Sequence, residues 1–169
     1  MHVTNSGFLA SITGKLDLGS ASDAQTIFAK IQLAQAEKCK QLIESIMHDV
    51  EEIQSEEKAC DTMIEKAREL QSQAQTSGAD TEMPADMVQY FKDHGLSYDT
   101  DGNDNMHSAD QWDYNLKSLT NYQEQIGNKT QTLMVYLQDF IGQYNSYLQG
   151  ANTQISNANQ TLTSLARGQ

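Results

Sequence analysis

Proline is almost missing from this sequence: Pro84 stands alone, mid-chain, so no proline breaks a helical pattern in the long stretches on either side. Cysteine is scarce too. Cys39 and Cys60 would lie about 31 Å apart along one helix at 1.5 Å per residue, beyond disulfide reach, so both read as free thiols. Neither has a CxxC spacing or a histidine beside it, which favours small packing residues over redox or nucleophilic groups. Positive charge is short: 11 Lys and Arg stand against 23 Asp and Glu, a net charge of −12. That balance excludes a nucleic-acid or anionic-membrane surface, where basic side chains must displace counterions. No apolar run reaches the roughly 18–20 residues that cross a bilayer, and the start lacks the basic and apolar regions of a cleaved secretory signal. We therefore expect no direct membrane insertion. With 38% apolar residues in 169, little remains for a large self-contained core.

What charge there is clusters. Residues 1–36 are neutral overall, 37–77 carry −5, 78–113 carry −8 and 114–169 carry +1. The periodicities divide the chain in the same way: an N-terminal arm over 1–21, a first long helix over 22–77, an elbow over 78–108 and a second long helix over 109–169. Two helices joined by such an elbow fold back on each other, so the expected class is all-α, an elongated antiparallel helical hairpin or coiled coil with a short intervening helix and an acidic loop.

The arm sustains no helical or strand period; it reads as flexible, with Phe8, Leu9, Ile12, Leu16 and Leu18 available to a partner surface. Ser20 and Ser22 suit an N-cap, and Asp23 suits the first turn. In the first helix, Ile43, Val50 and Ile64 alternate with Cys39, Ile46, Ile53, Cys60, Ala67 and Ala74 at heptad spacing, with Glu57 and Gln71 interrupting. The seam is weak, because alanine and cysteine bury less apolar area than leucine. Earlier in the same helix, Ile27, Phe28, Ile31 and Ala34 form a richer apolar stripe.

Gly78 ends the first helix. Pro84 at a first helical position and Gly95 as a stop predict a short helix, folded onto the pair by Met87, Val88, Phe91 and Leu96. Ser108 predicts the next N-cap, with Gln111 completing a capping box. From there Trp112, Leu116, Leu119, Ile126, Leu133 and Leu137 keep a heptad, and Ile141, Tyr144, Leu148, Ala151, Ile155, Ala158, Leu162 and Leu165 continue it in a shifted frame. The step from Leu137 to Ile141 reads as a stutter. Gly127, Gly142 and Gly150 either weaken this helix or admit another backbone. Its outer faces are glutamine, asparagine, serine and threonine, with Tyr114, Tyr122, Tyr136 and Tyr147 wholly or partly off the seam. Such a face suits cover by a neighbouring subunit, or plain solvent contact.

No chemistry stands out. Asp99-Thr100-Asp101-Gly102-Asn103-Asp104 resembles a calcium loop, yet the sixth and twelfth places hold Asp104 and Asp110 where an EF-hand needs glycine and glutamate, which favours an acidic solvated loop. His48 with Glu52, and Asp49 with Glu52, share helix faces without a third ligand; His94 and His107 flank the loop. No GxSxG, HExxH, P-loop or GxGxxG spacing occurs. The expectation is no enzyme, no cofactor and no metal.

The segment Met83-Pro84-Ala85-Asp86-Met87-Val88-Gln89-Tyr90-Phe91-Lys92-Asp93-His94-Gly95-Leu96 resembles the Pro-x-(Asp/Glu)-Val-Ile-x-Tyr-(hydrophobic)-x-x-x-(Gly)-Ile segment between the helices of EspA-like secreted proteins, the filament-forming hydrophilic translocators of type III secretion systems; Pro84, Val88, Tyr90, Gly95 and Leu96 carry the match. Asp17-Leu18-Gly19-Ser20 and the polar C-terminal helix ending Leu162-Thr163-Ser164-Leu165 are similar to stretches of that family as well. The resemblance implies export with an uncleaved signal in the arm, a cytosolic chaperone before export, and homo-oligomeric filament or tip assembly outside the cell, in contact with the secretion needle and pore-forming translocators. The residues expected to carry coiled-coil packing and assembly are Ile43, Ile46, Val50, Ile53, Ile64, Leu116, Leu119, Ile126, Leu133, Leu137, Ile141, Tyr144, Leu148, Ile155 and Leu162. The alternative is a soluble secreted coiled-coil effector or adaptor that binds a host protein through one helix face.

Overall fold

The computed structural model of this chain describes residues 24–168, the side chain of Asn103 excepted. The arm expected over 1–21, its caps Ser20 and Ser22, and Asp23 lie outside the described residues. The fold is an all-α helical hairpin with the element order α1 (Ala24–Ser77), β1 (Thr81–Glu82), α2 (Ala85–Asp93), a 3-10 turn (Asp101–Asn103), β2 (Met106–His107) and α3 (Ala109–Arg167). Among the described residues two compact units share the long helices: 48–134 form one, and 24–47 together with 135–168 form the other.

In the first of these units α1 and α3 run antiparallel. Gln71 Nε2 donates to Ala109 O at 3.2 Å and the Cys60 thiol to Leu119 O at 3.6 Å, while Gln123 Nε2 bonds Asp61 Oδ1. Cys60, Ile64, Ala67 and Ala74 are buried on α1 against Trp112, Leu119 and Ile126 on α3, with Ile53 partly buried beside them. The heptad places Cys60, Ala67 and Ala74 as the spacing predicts, and their small side chains leave room that the elbow fills. Met83, Met87 and Phe91 are fully buried there.

The elbow is held by local rules of chain geometry. Gly78 sits at φ +67° and its N–H donates to Ala74 O at 2.9 Å. Gly95 sits at φ +62°; its N–H reaches Lys92 O and that of Leu96 reaches Phe91 O at 2.8 Å. Those two bonds make a Schellman stop, which needs a left-handed residue and so favours glycine. Pro84 lies one place earlier than the spacing predicts: with ψ 149° it is the N-cap of α2 and not its first helical residue. Its carbonyl still accepts the N–H groups of Met87 and Val88, each at 3.0 Å. Ser108 and Gln111 form the expected capping box at the start of α3, Ser108 N donating to Gln111 Oε1 at 2.8 Å and Gln111 N to Ser108 Oγ at 3.4 Å. The ribbon of β1 and β2, pairing Thr81 with His107 and Glu82 with Met106, is an addition to the expected fold. Two residues per strand are too few to show an alternating pattern.

In the second unit α1 and α3 again run antiparallel and approach closely: a Cβ on Gly150 would lie 3.0 Å from Gln32 Oε1. Ala29, Ala36, Cys39 and Ile46 are buried on α1 and Ala151 on α3. The stripe Ile27, Phe28, Ile31 and Ala34 is not the packed face; Phe28 is 46% exposed, because the heptad that holds Cys39 and Ile46 runs back through Ala36 and Ala29 instead. On α3 the expected stutter does not shape the packing. Leu137, Phe140, Tyr144, Tyr147, Ala151, Gln154 and Ala158 are the more buried positions, and they continue the count of Trp112, Leu116, Leu119, Ile126 and Leu133 without a shift. Ile141 and Ile155, placed on the seam by the shifted frame, are 42% and 44% exposed, and Leu162 is 64% exposed. Amide and aromatic side chains, Phe140, Tyr144, Tyr147 and Gln154, thus share the seam with Leu137, Ala151 and Ala158.

Candidate functional site

Two features of the chain could carry function, the clamped elbow and the exposed apolar side chains of α3. The elbow is built outward from Trp112, the only tryptophan. Its indole N–H donates to Thr81 Oγ1 at 2.8 Å, and the Thr81 hydroxyl donates to Leu70 O at 3.1 Å. One hydrogen-bonded relay therefore ties α3, β1 and α1. His107 packs edge-on against the indole, with ring centroids 5.1 Å apart. It is fully buried, and both of its ring nitrogens lack a hydrogen-bond partner. Burial pushes its pKa below the ordinary 6.5, although Asp99, Asp104 and Asp80 pull the other way.

Elsewhere in the elbow, one oxygen of Glu56 on α1 meets two partners. Tyr90 OH donates to Glu56 Oε1 at 2.6 Å, and His94 Nε2 lies 3.0 Å from the same atom. Tyr122 closes the group, its ring 5.3 Å from that of His94 and 6.5 Å from that of Tyr90. Burial, then the bond to Glu56, push the Tyr90 phenol far above its ordinary pKa, so it stays a donor at any physiological pH. Lys66 Nζ adds an exposed contact to Asp86 Oδ2 at 2.6 Å, which holds the Asp86 carboxyl below the usual range.

Of the elbow motif, Tyr90 is buried, Val88 and Leu96 pack on the core, and Pro84 and Gly95 set the two ends of α2. The motif thus comes together as one anchoring unit. Glu56, Thr81 and Asn115 were not singled out from sequence. Glu56 stands four residues before Cys60 on α1, next to Glu57, so nothing in the spacing sets it apart from the other acids of that helix. Asn115 is fully buried and its Oδ1 accepts the Asp99 N–H at 2.7 Å.

Two carboxylates of the acidic loop are held by nearby groups. Asp99 Oδ1 accepts from Asp101 N at 3.0 Å and from Gln111 Nε2 at 2.9 Å, and Asp104 Oδ1 accepts from Met106 N at 3.0 Å. Among the described residues no group of three or more His, Cys, Asp or Glu side chains is placed to hold a metal ion. Cys39 and Cys60 are buried free thiols, and burial pushes both pKa values up, which suits packing and not nucleophilic attack.

The expected assembly residues fall into two sets. Ile46, Ile64, Leu119 and Ile126 are buried within the chain, and Ile43, Val50, Ile53, Leu116, Leu133, Leu137, Tyr144 and Leu148 are half-buried. Ile141, Ile155 and Leu162 face outward, as do Met134, Val135, Tyr136 and Leu165. Tyr114 is exposed as well, whereas Tyr122 and Tyr147 are half-buried. From residue 140 to residue 166 α3 carries no charged side chain. No described helix is long and apolar enough to cross a membrane. The chain matches no protein-family model, no curated protein and no solved structure.

Proposed function

We propose that this chain is a structural subunit, exported through a type III secretion system, that self-assembles through its long helices into an extracellular filament or tip. The observation that carries the proposal is the row of exposed apolar side chains, Ile141, Ile155, Leu162 and Leu165 among them, on the stretch of α3 that has no charge. The net negative charge is carried by residues 37–113, where copies of the chain repel one another. Apolar side chains left in water on a neutral surface favour a covering partner. Resemblance of the elbow segment to EspA-like translocators adds the secretion context: a cytosolic chaperone covers the same helices before export, and the needle and pore-forming translocators are the neighbours outside.

The test is light scattering and negative-stain microscopy of the purified chain across concentration. Rods or fibres are expected, and Leu162→Asp should suppress them while leaving helicity unchanged. A particle of fixed small size at every concentration would instead favour the soluble effector or adaptor reading.

A further inference from the structure

The seam that α3 uses within the chain leaves a second one on the same helix. Ile141, Leu148, Ile155 and Leu162 recur every seventh residue, and Asn145, Asn152 and Asn159 recur every seventh residue between them. Successive members are four and three residues apart, the spacing of the two core positions of a coiled coil. The three asparagines are exposed, as are Ile141, Ile155 and Leu162, and only Leu148 is half-buried. The row runs about 32 Å at 1.5 Å per residue. At its end Leu33 of α1 lines a shallow groove with Ile155 and Leu162, so the apolar surface extends beyond α3.

We infer that this Ile/Leu–Asn row is the interface with a second copy of the chain, paired parallel and in register through α3. Charge and hydrogen bonding both select that occupant. The row lies inside the uncharged stretch 140–166, where two chains of net charge −12 can approach without direct like-charge contact. A buried asparagine amide needs both a donor and an acceptor opposite, and its own twin in a second copy supplies both. In a parallel in-register pair each core layer faces its equivalent: Asn145 meets Asn145, Asn152 meets Asn152 and Asn159 meets Asn159, with aliphatic layers between. An antiparallel pair would set each asparagine against isoleucine or leucine and leave its amide unsatisfied. Sliding by one heptad keeps asparagine opposite asparagine but discards one layer of each kind. Because the contact uses the same patch on both copies it closes on itself, so growth into a filament would use other surfaces of the paired unit.

This inference rests on the self-assembly reading, and disulfide trapping separates the two. Asn145→Cys and Asn159→Cys variants of the full chain would each be oxidised alone, and then mixed in a differently tagged pair, with the wild-type chain and its two buried thiols as the control. Expected are cross-linked dimers of each variant with itself, no 145-to-159 product in the mixture, and helicity equal to wild type. Ile155→Asp added to either variant should reduce trapping at least tenfold. A 145-to-159 product, or no trapping in a chain that scattering shows to self-associate, would overturn the parallel pair and leave the self-assembly reading standing. A chain that stays monomeric at every concentration and is not trapped would overturn both.

Discussion

The indole N–H of Trp112 donates to Thr81 Oγ1 at 2.8 Å, joining the first turn of α3 to the strand that leaves α1. Because the Thr81 hydroxyl donates onward to Leu70 O, two consecutive hydrogen bonds link α3, β1 and α1. Trp112→Phe removes the donor and part of a fully buried ring, and is expected to lower the unfolding free energy by about 1–3 kcal/mol. Urea titration followed by far-UV circular dichroism measures it. In the wild type, Trp112 emission should be blue-shifted in the native state and move to the red when the elbow releases.

Glu56 Oε1 serves Tyr90 OH and His94 Nε2 together. Glu56→Ala leaves the buried Tyr90 hydroxyl without its acceptor, at an expected cost of about 1–3 kcal/mol. Glu56→Gln keeps an amide oxygen and should cost less. Limited proteolysis within 78–108 should be faster for the alanine variant than for the glutamine variant; equal rates for both and wild type would remove the clamp role.

His107 sets an acid limit on the elbow. Its folded pKa lies below 6.5, the ordinary value, because burial disfavours the imidazolium. The neutral form is the one the fold favours, so stability is full above the unfolded-state pKa near 6.5 and falls as pH drops below it toward the folded value. His107→Phe keeps the edge-on contact with Trp112 and removes the proton. Melts at a series of pH values should show the wild type losing more stability than the variant between neutral and mildly acidic conditions.

Gly95 and Gly142 should respond to alanine with opposite signs. Gly95 holds φ +62°, so Gly95→Ala is strained despite the open space around it and should destabilise by about 1–2 kcal/mol. Gly142 lies within α3 with nothing within 4 Å of an added Cβ, and Gly142→Ala should stabilise by about 0.5–1 kcal/mol. Paired thermal melts test both.

Much of this architecture is legible in the linear order of residues. Caps and stops act over three to six residues, so Ser108 with Gln111, Gly78 and Gly95 announce the helix ends, and Cys60, Ala67 and Ala74 show the packed face of α1 by spacing alone. Beyond Leu133 the seam of α3 was legible only in part: Leu137, Tyr144, Ala151 and Ala158 sit on it as the spacing predicts, whereas Ile141, Ile155, Leu162 and Leu165 do not. Phe140, Tyr147 and Gln154 are more buried than Ile141 and Ile155 although aliphatic residues are the better core formers in isolation. Glu56, Thr81 and Asn115 were equally silent, since each acquires its role from a partner 34, 31 or 16 residues away.

Local chemistry by itself determined the helices, their ends, the short intervening helix and the uneven placement of charge, because each depends on neighbours within a turn or two of the chain. Tertiary structure alone decided which stripe of α3 packs against α1 and which is left facing outward. That choice turns on how closely the two backbones approach: alanine and cysteine mark the packed face of α1 by their spacing, but their small size does not specify which stripe of α3 lies against them.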